Sequence, residues 1–179
     1  MAEKNIIGIC GSLRRASRNM GLLRCARQQM PEGTRLEIVD ISSFPFYSAD
    51  IEKPEQISVF VDKVKSAAGY VFAGPEYNYS VAPALKNAID WASREPGAIF
   101  AGKPAALMGA GGSLGSARAQ YHLRQICVYL DLQVVNKPEI FANAFSPAFA
   151  EDGSVADTAE GQKLAATVAE LMRRLCAGL

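Results

Sequence analysis

The sequence predicts a three-layer α/β fold: a doubly wound, five-stranded parallel sheet of order 2-1-3-4-5 with helices on both faces. Three observations carry this. Short apolar runs of strand type recur five times, each is followed by a stretch of helical spacing, and the runs are apolar throughout, as in strands buried on both faces. Right-handed crossovers then wrap helices over both sides of the sheet. A length of 179 residues suits one domain spanning 1–179. With 49% apolar and 21% charged residues, a core forms without metal or disulfide.

Taken in order, the first strand is Ile6-Ile7-Gly8-Ile9-Cys10, with a helix from about Met20 to Met30. Leu36 to Val39 and Glu55 to Ala68 form the second strand and helix, and Gly69 to Ala73 the third strand. Pro83 to Arg94 makes the third helix, with Pro83 in the first turn, where its missing N–H costs nothing, and Leu85 and Ile89 on one apolar face. Ala105 to Met108 is the fourth strand and Ser116 to Leu130 the fourth helix; Gln133 to Val135 and Thr158 to Cys176 complete the series. Residues 143–157, with Ser146-Pro147 and Asp152-Gly153, read as an exposed connection. The fourth helix has two apolar stripes. Ala119, Leu123, Ile126, Cys127 and Leu130 face the sheet, whereas Tyr121 and Val128 lie nearly opposite and predict a homodimer interface.

Composition excludes several function classes. Nineteen basic against eighteen acidic residues give a net charge of +1, which does not suit a dedicated nucleic-acid binder. His122 is the single histidine, whereas zinc and Ser/His/Asp or Cys/His catalysis need well-placed imidazoles. The four cysteines lack a CxxC pair and suit a reduced compartment. The first apolar run is too short for a signal segment and no later stretch approaches a membrane span, so a cytoplasmic protein without membrane insertion is expected.

Open parallel sheets bind ligands beyond the carboxyl ends of their strands, where the winding reverses. The loop after the first strand, Gly11-Ser12-Leu13-Arg14-Arg15-Ala16-Ser17-Arg18-Asn19, offers two hydroxyls, an amide, three guanidiniums and the free N–H groups of a helix start. That set suits a phosphate monoester; the alternative is a capped helix whose arginines point into water. Three sharper motifs fail by counting. A P-loop needs Gly-Lys-[Ser/Thr] where Ala16-Ser17-Arg18 stands, the Gly-x-Gly-x-x-Gly fingerprint is absent, and a Cys-x5-Arg phosphatase cradle meets Ala16 instead of arginine. Gly111-Gly112-Ser113-Leu114-Gly115 matches a hydrolase nucleophile elbow, but His122 falls nine residues on, along the following helix, and cannot easily return to Ser113. The third loop, Pro75-Glu76-Tyr77-Asn78-Tyr79-Ser80, brings aromatic rings and amides that suit a planar heteroaromatic ring. Glu76 is either a general acid or a structural acceptor, and its isolation from a second acid favours the latter.

Gly11-Ser12-x-Arg14-x-x-Ser17-x-Asn19, together with Pro75-Glu76-Tyr77-Asn78-Tyr79-Ser80-x-x-Pro83-x-Leu85-Lys86-Asn87-Ala88-x-Asp90-Trp91, resembles the NADPH-dependent FMN reductase family. That family is flavodoxin-like and includes bacterial quinone and chromate reductases. The resemblance implies that Ser12, Arg14, Ser17 and Asn19 hold the FMN phosphate, and that Pro75, Glu76, Tyr77 and Asn78 border the flavin ring and ribityl chain. Gly111, Gly112 and Ser113 close over the other side of the ring. It implies NADPH or NADH as co-substrate, with two electrons passing through the flavin to quinones, chromate, azo or nitro compounds in one alternately occupied pocket. An enzyme releasing free reduced flavin and a non-enzymatic flavin-binding carrier are the alternatives. The family also implies a homodimer or homotetramer. The chain departs from the pattern in two places: Arg18 adds a third charge to the first loop, and residues 143–157 match none of the family's motifs.

Overall fold

The computed structural model describes residues 3–179. The chain begins with β1 (Lys4–Cys10), α1 (Arg18–Gln28), β2 (Thr34–Val39), α2 (Glu55–Ser66) and β3 (Gly69–Ala73). A small hairpin follows, β4 (Glu76–Tyr77) and β5 (Ser80–Val81), then α3 (Pro83–Ser93), β6 (Pro104–Gly111) and α4 (Ala117–Tyr129). The remainder is β7 (Gln133–Val134), β8 (Ile140–Asn143) and α5 (Ala159–Ala177). The main sheet runs β2-β1-β3-β6-β7, all parallel, with β8 also pairing β6. Counting β6 as the fourth strand, this is the expected 2-1-3-4-5 order, and the α/β class is as read.

The fifth position is where the structure adds detail. β7 pairs with Pro104 and Ala105 at the start of β6, and β8 with Met108 to Gly111 at its end, so one sheet edge is covered by two pieces. Pro138 explains the break. It has no N–H to give a ladder and pushes its predecessor out of register, so pairing stops after Val135 and resumes at Ile140. β8 carries the chain to Asn143 beside Gly111, and Ala144 N–H then donates to the Gly111 carbonyl at 2.7 Å.

Period-two alternation assigns each strand residue to a layer. Ile7, Ile9, Tyr70, Phe72, Ala105 and Leu107 point to one face and pack with Phe60, Ile89, Leu123 and Cys127 of α2, α3 and α4. Ile6, Cys10, Val71, Ala73, Ala106 and Met108 point to the other and pack with Leu22 and Leu23 of α1 and Leu171 and Met172 of α5. Ser17 caps α1 by accepting from the Met20 N–H at 3.2 Å, so this helix starts two residues before the apolar pattern becomes visible. Among the described residues, no helix is long and apolar enough to cross a membrane.

Candidate functional site

Three chain turns meet above the carboxyl ends of β1, β3 and β6. They enclose a cleft of about 190 Å³ lined by Ser12, Arg14, Ala16, Ser17, Arg18, Asn19, Pro75, Glu76, Tyr77, Ala110, Gly111, Gly112, Ala144 and Phe145. Nine of the eleven residues singled out in the sequence therefore converge on one place. Three hollows are larger: two, of about 730 and 380 Å³, lie beside β2, and one of about 210 Å³ lies at the carboxyl ends of α3 and α4. None of these is lined by both the β1 and the β3 loops, between which the winding of the sheet reverses, so the smaller cleft is the site the fold builds.

The floor of the cleft is rigid. Asn19 spends both ends of its amide on Ala110: Nδ2 donates to the carbonyl at 3.0 Å and Oδ1 accepts from the N–H at 2.8 Å. This fastens the first turn of α1 to β6. Asn19 thus braces the wall rather than presenting a free amide, which adjusts the part expected of it. Ser12 and Ser17 are buried at 8% and 4% exposure, and the N–H groups of Arg18 and Asn19 find no backbone acceptor among the described residues. Helix starts leave such donors for a cap or an anion. Cys10 sits below, its Sγ 3.5 Å from the Ser12 carbonyl, and burial pushes its thiol above the ordinary value, so it stays a protonated, structural group.

Glu76 turns out to be a helix cap. Its carboxylate accepts from the Arg118 N–H at 3.0 Å and the Ala119 N–H at 3.3 Å, at the start of α4, and pairs with the Arg118 guanidinium. Burial alone would raise its pKa, but Arg118 and the two amides outweigh this and hold it below the ordinary glutamate range. It is an ionised acceptor, not an acid with a proton to give. Arg118 in turn lies 3.5 Å over the Tyr79 ring. Asn78 and Tyr79 occupy the two-residue turn between β4 and β5, both with positive φ (47° and 66°), a turn of type I′ character.

Two expected residues stand outside the lining. Asn78 is exposed at the tip of that turn, its left-handed backbone explaining why asparagine is there. Ser113 is exposed in the Gly112–Gly115 turn, closed by a 2.9 Å bond from the Gly115 N–H to the Gly112 carbonyl. His122 does not approach Ser113; its Nδ1 lies 3.0 Å from Ser80 Oγ, so the apparent nucleophile elbow lacks its base. The neighbouring glycines differ in purpose. A Cβ on Gly111 would fall 1.9 Å from the Gly115 carbonyl oxygen, whereas one on Gly112 would meet nothing within 4 Å, so Gly112 leaves the wall open.

Ala16, Arg18, Ala110, Ala144 and Phe145 line the cleft without having been singled out as site residues. Arg18 carried a signal, its extra charge, whereas Ala144 and Phe145 arrive only because β8 lengthens the sheet edge. The rest of the third-loop motif is structural. Asn87 accepts from the Tyr47 N–H at 2.8 Å and donates to the Pro45 carbonyl at 2.9 Å, and Trp91 Nε1 donates to the same carbonyl at 2.8 Å. Both hold the loop after β2 against α3.

The family model for NADPH-dependent FMN reductase matches residues 4–146. The chain belongs to this family. It is 47% identical over 175 residues to an NAD(P)H:quinone oxidoreductase of Solanum tuberosum, covering 93% of this chain and 90% of the relative. It is 46% identical over 156 residues to an NAD(P)H-dependent FMN reductase of Pseudomonas aeruginosa, covering 85% and 84%. Among solved structures, the flavoenzyme NAD(P)H:(acceptor) oxidoreductase FerB of Paracoccus denitrificans superposes with a TM-score of 0.81 at 29% identity, over 96% of this chain and 98% of that one. The family match runs from β1 through Ser146, and so takes in every cleft residue, Ala144 and Phe145 included.

Proposed function

We propose that this FMN reductase family member is an FMN-dependent NAD(P)H oxidoreductase that reduces quinones and other small acceptors. The observation that carries the reading is the cleft itself, where hydroxyls, guanidiniums and helix-start amides at one end face an open glycine wall and a tyrosine hairpin at the other. Its residues fit FMN on their own chemistry. The free donors at the start of α1, with Ser12, Ser17 and Arg14, suit a phosphate monoester. The open Gly112 wall opposite Pro75 and Tyr77 suits a flat ring. At about 190 Å³ the cleft is smaller than the roughly 300 Å³ at which ligand pockets begin, so its residues would hold part of the group, the phosphate end being the part that Ser12, Arg14 and Ser17 suit.

When bound, FMN supplies two-electron transfer from NAD(P)H to an oxidant, chemistry that no side chain here provides. The protein orients and insulates. Asn19 keeps the α1 turn in place, and Glu76 with Arg118 fixes the hairpin that carries Tyr77 against α4. Because Glu76 is held ionised, it has no proton to give; of the two hydrogens a quinone gains, NAD(P)H supplies one as hydride, and solvent would supply the one proton that balances the reaction. Ser113 and Asn78 stand at the edge of that rim, where an incoming substrate passes.

We further infer that residues 1–179 act as one cytoplasmic FMN-binding unit without a nucleic-acid partner, supported by the +1 net charge. A homodimer or homotetramer is supported by Tyr121, Val128 and Tyr129, which stand 57%, 80% and 75% exposed on the outer side of α4. The test is NAD(P)H oxidation by the purified chain with a benzoquinone in the presence of FMN. Turnover that saturates in both substrates supports the reading; retained flavin without NAD(P)H turnover would favour a carrier instead. Arg14→Ala is expected to weaken FMN retention about tenfold or more, as for loss of one charge-assisted bond, with the thermal unfolding midpoint little changed.

A further inference from the structure

We propose that Arg18, the third cation of the first loop, supplies a second guanidinium to the FMN phosphate alongside Arg14. The inference rests on the FMN-binding reading above and deepens it.

The argument starts from charge. Glu76 is the one carboxylate among the cleft residues, and it is already paired with Arg118. Arg14 and Arg18 are therefore left as two uncompensated cations facing the same space, and neither has a carboxylate within 4 Å among the described residues. A phosphate monoester carries roughly −1.5 to −2 near pH 7, so one arginine leaves it under-matched and two balance it.

Burial adds a second, independent observation. The Arg18 Nε is shielded from solvent and has no hydrogen-bond partner among the described residues. A buried cationic donor without an acceptor is costly, and at the edge of an anion-binding cleft a bound anion is the group that would satisfy it. Arg18 is also the first residue of α1, and the adjacent Asn19 is bolted to Ala110 at 2.8 and 3.0 Å, so the backbone that carries it is fixed. Arg14 and Arg15 are both exposed, but Arg15, unlike Arg14 and Arg18, does not line the cleft. Of the three charges in the first loop, Arg14 and Arg18 converge and Arg15 remains in water.

Riboflavin is the probe that isolates this contact, since it has the ring and ribityl chain of FMN but no phosphate. The full chain, dialysed free of flavin, is titrated with FMN and with riboflavin by quenching of flavin fluorescence, and the ratio of the two dissociation constants is taken for each variant. The ratio is internal to each protein, so a general loss of stability does not mimic the effect. The wild type is expected to prefer FMN. Arg18→Ala should cut that preference by about 10- to 100-fold, the size of a charge-assisted bond, with riboflavin affinity unchanged. Arg18→Met, which keeps the apolar stem, should lose as much, and carries the test if the alanine variant does not fold. Arg15→Ala should keep the wild-type ratio. Wild-type preference for FMN that persists within about twofold in both Arg18 variants would overturn the proposal while leaving the FMN reading intact. A wild type that binds both flavins equally would overturn the phosphate reading and this inference with it.

Discussion

Glu76 shows how one residue's environment selects its role. A lone glutamate in a rim motif invites assignment as a general acid, yet here it accepts two α4 amides and an arginine, and its pKa lies below the ordinary 4.5. A depressed folded-state value means that ionised Glu76 stabilises the fold. The contribution is fully present above about pH 4.5 and is lost as the pH falls through the lower folded value. Glu76→Gln should therefore lose about 1–2 kcal/mol at pH 7, as expected for a charged cap that becomes neutral. The gap to wild type in urea titrations should narrow as the pH drops below 4.5. A gap independent of pH would deny the carboxylate its charged role. Asn19 gives a parallel lesson, since the sequence shows an amide at a phosphate loop and only the fold shows that both its ends are engaged with Ala110.

At the scale of elements, the βα alternation was readable because the central strands β1, β3 and β6 are apolar on both faces and the helices between them carry apolar residues at helical spacing. The hairpin of β4 and β5 was not, as strands of two residues have no period to detect. β8 was hidden for another reason: Pro138 ends the visible run near Val135, and Ile140 to Asn143 then resembles part of a loop. The site was legible where motifs are local, at Ser12, Arg14, Ser17 and Pro75 to Tyr77. It was illegible where it depends on sheet register, at Ala144 and Phe145. The hairpin also stores strain, because Tyr79 holds a left-handed backbone that costs a residue with a Cβ about 1–2 kcal/mol. Tyr79→Gly relieves this but forfeits the Arg118 stacking, about 0.5–1 kcal/mol, and adds about 0.5–1 kcal/mol of unfolded-chain entropy. These offset, so its unfolding free energy in urea should stay within about 1 kcal/mol of wild type. A loss well beyond that would make the Arg118–Tyr79 stack a larger anchor than its geometry indicates.

For the whole molecule, the outer stripe of α4 and the open rim of the cleft belong to one question, what covers surfaces that the single chain leaves apolar or half-enclosed. Tyr121, Val128 and Tyr129 make the stripe too apolar for a helix that only faces water. Val128→Glu is expected to lower the assembly state in sedimentation velocity, and a wild type that sediments as a monomer would remove the basis for that prediction. The claim on which the rest depends is that the cleft above β1, β3 and β6 holds FMN. Incubation of the chain with FMN, removal of free flavin by gel filtration and a visible spectrum test it most directly. Flavin absorbance co-eluting with the protein at about one equivalent per chain is the predicted result; a colourless protein would contradict the account.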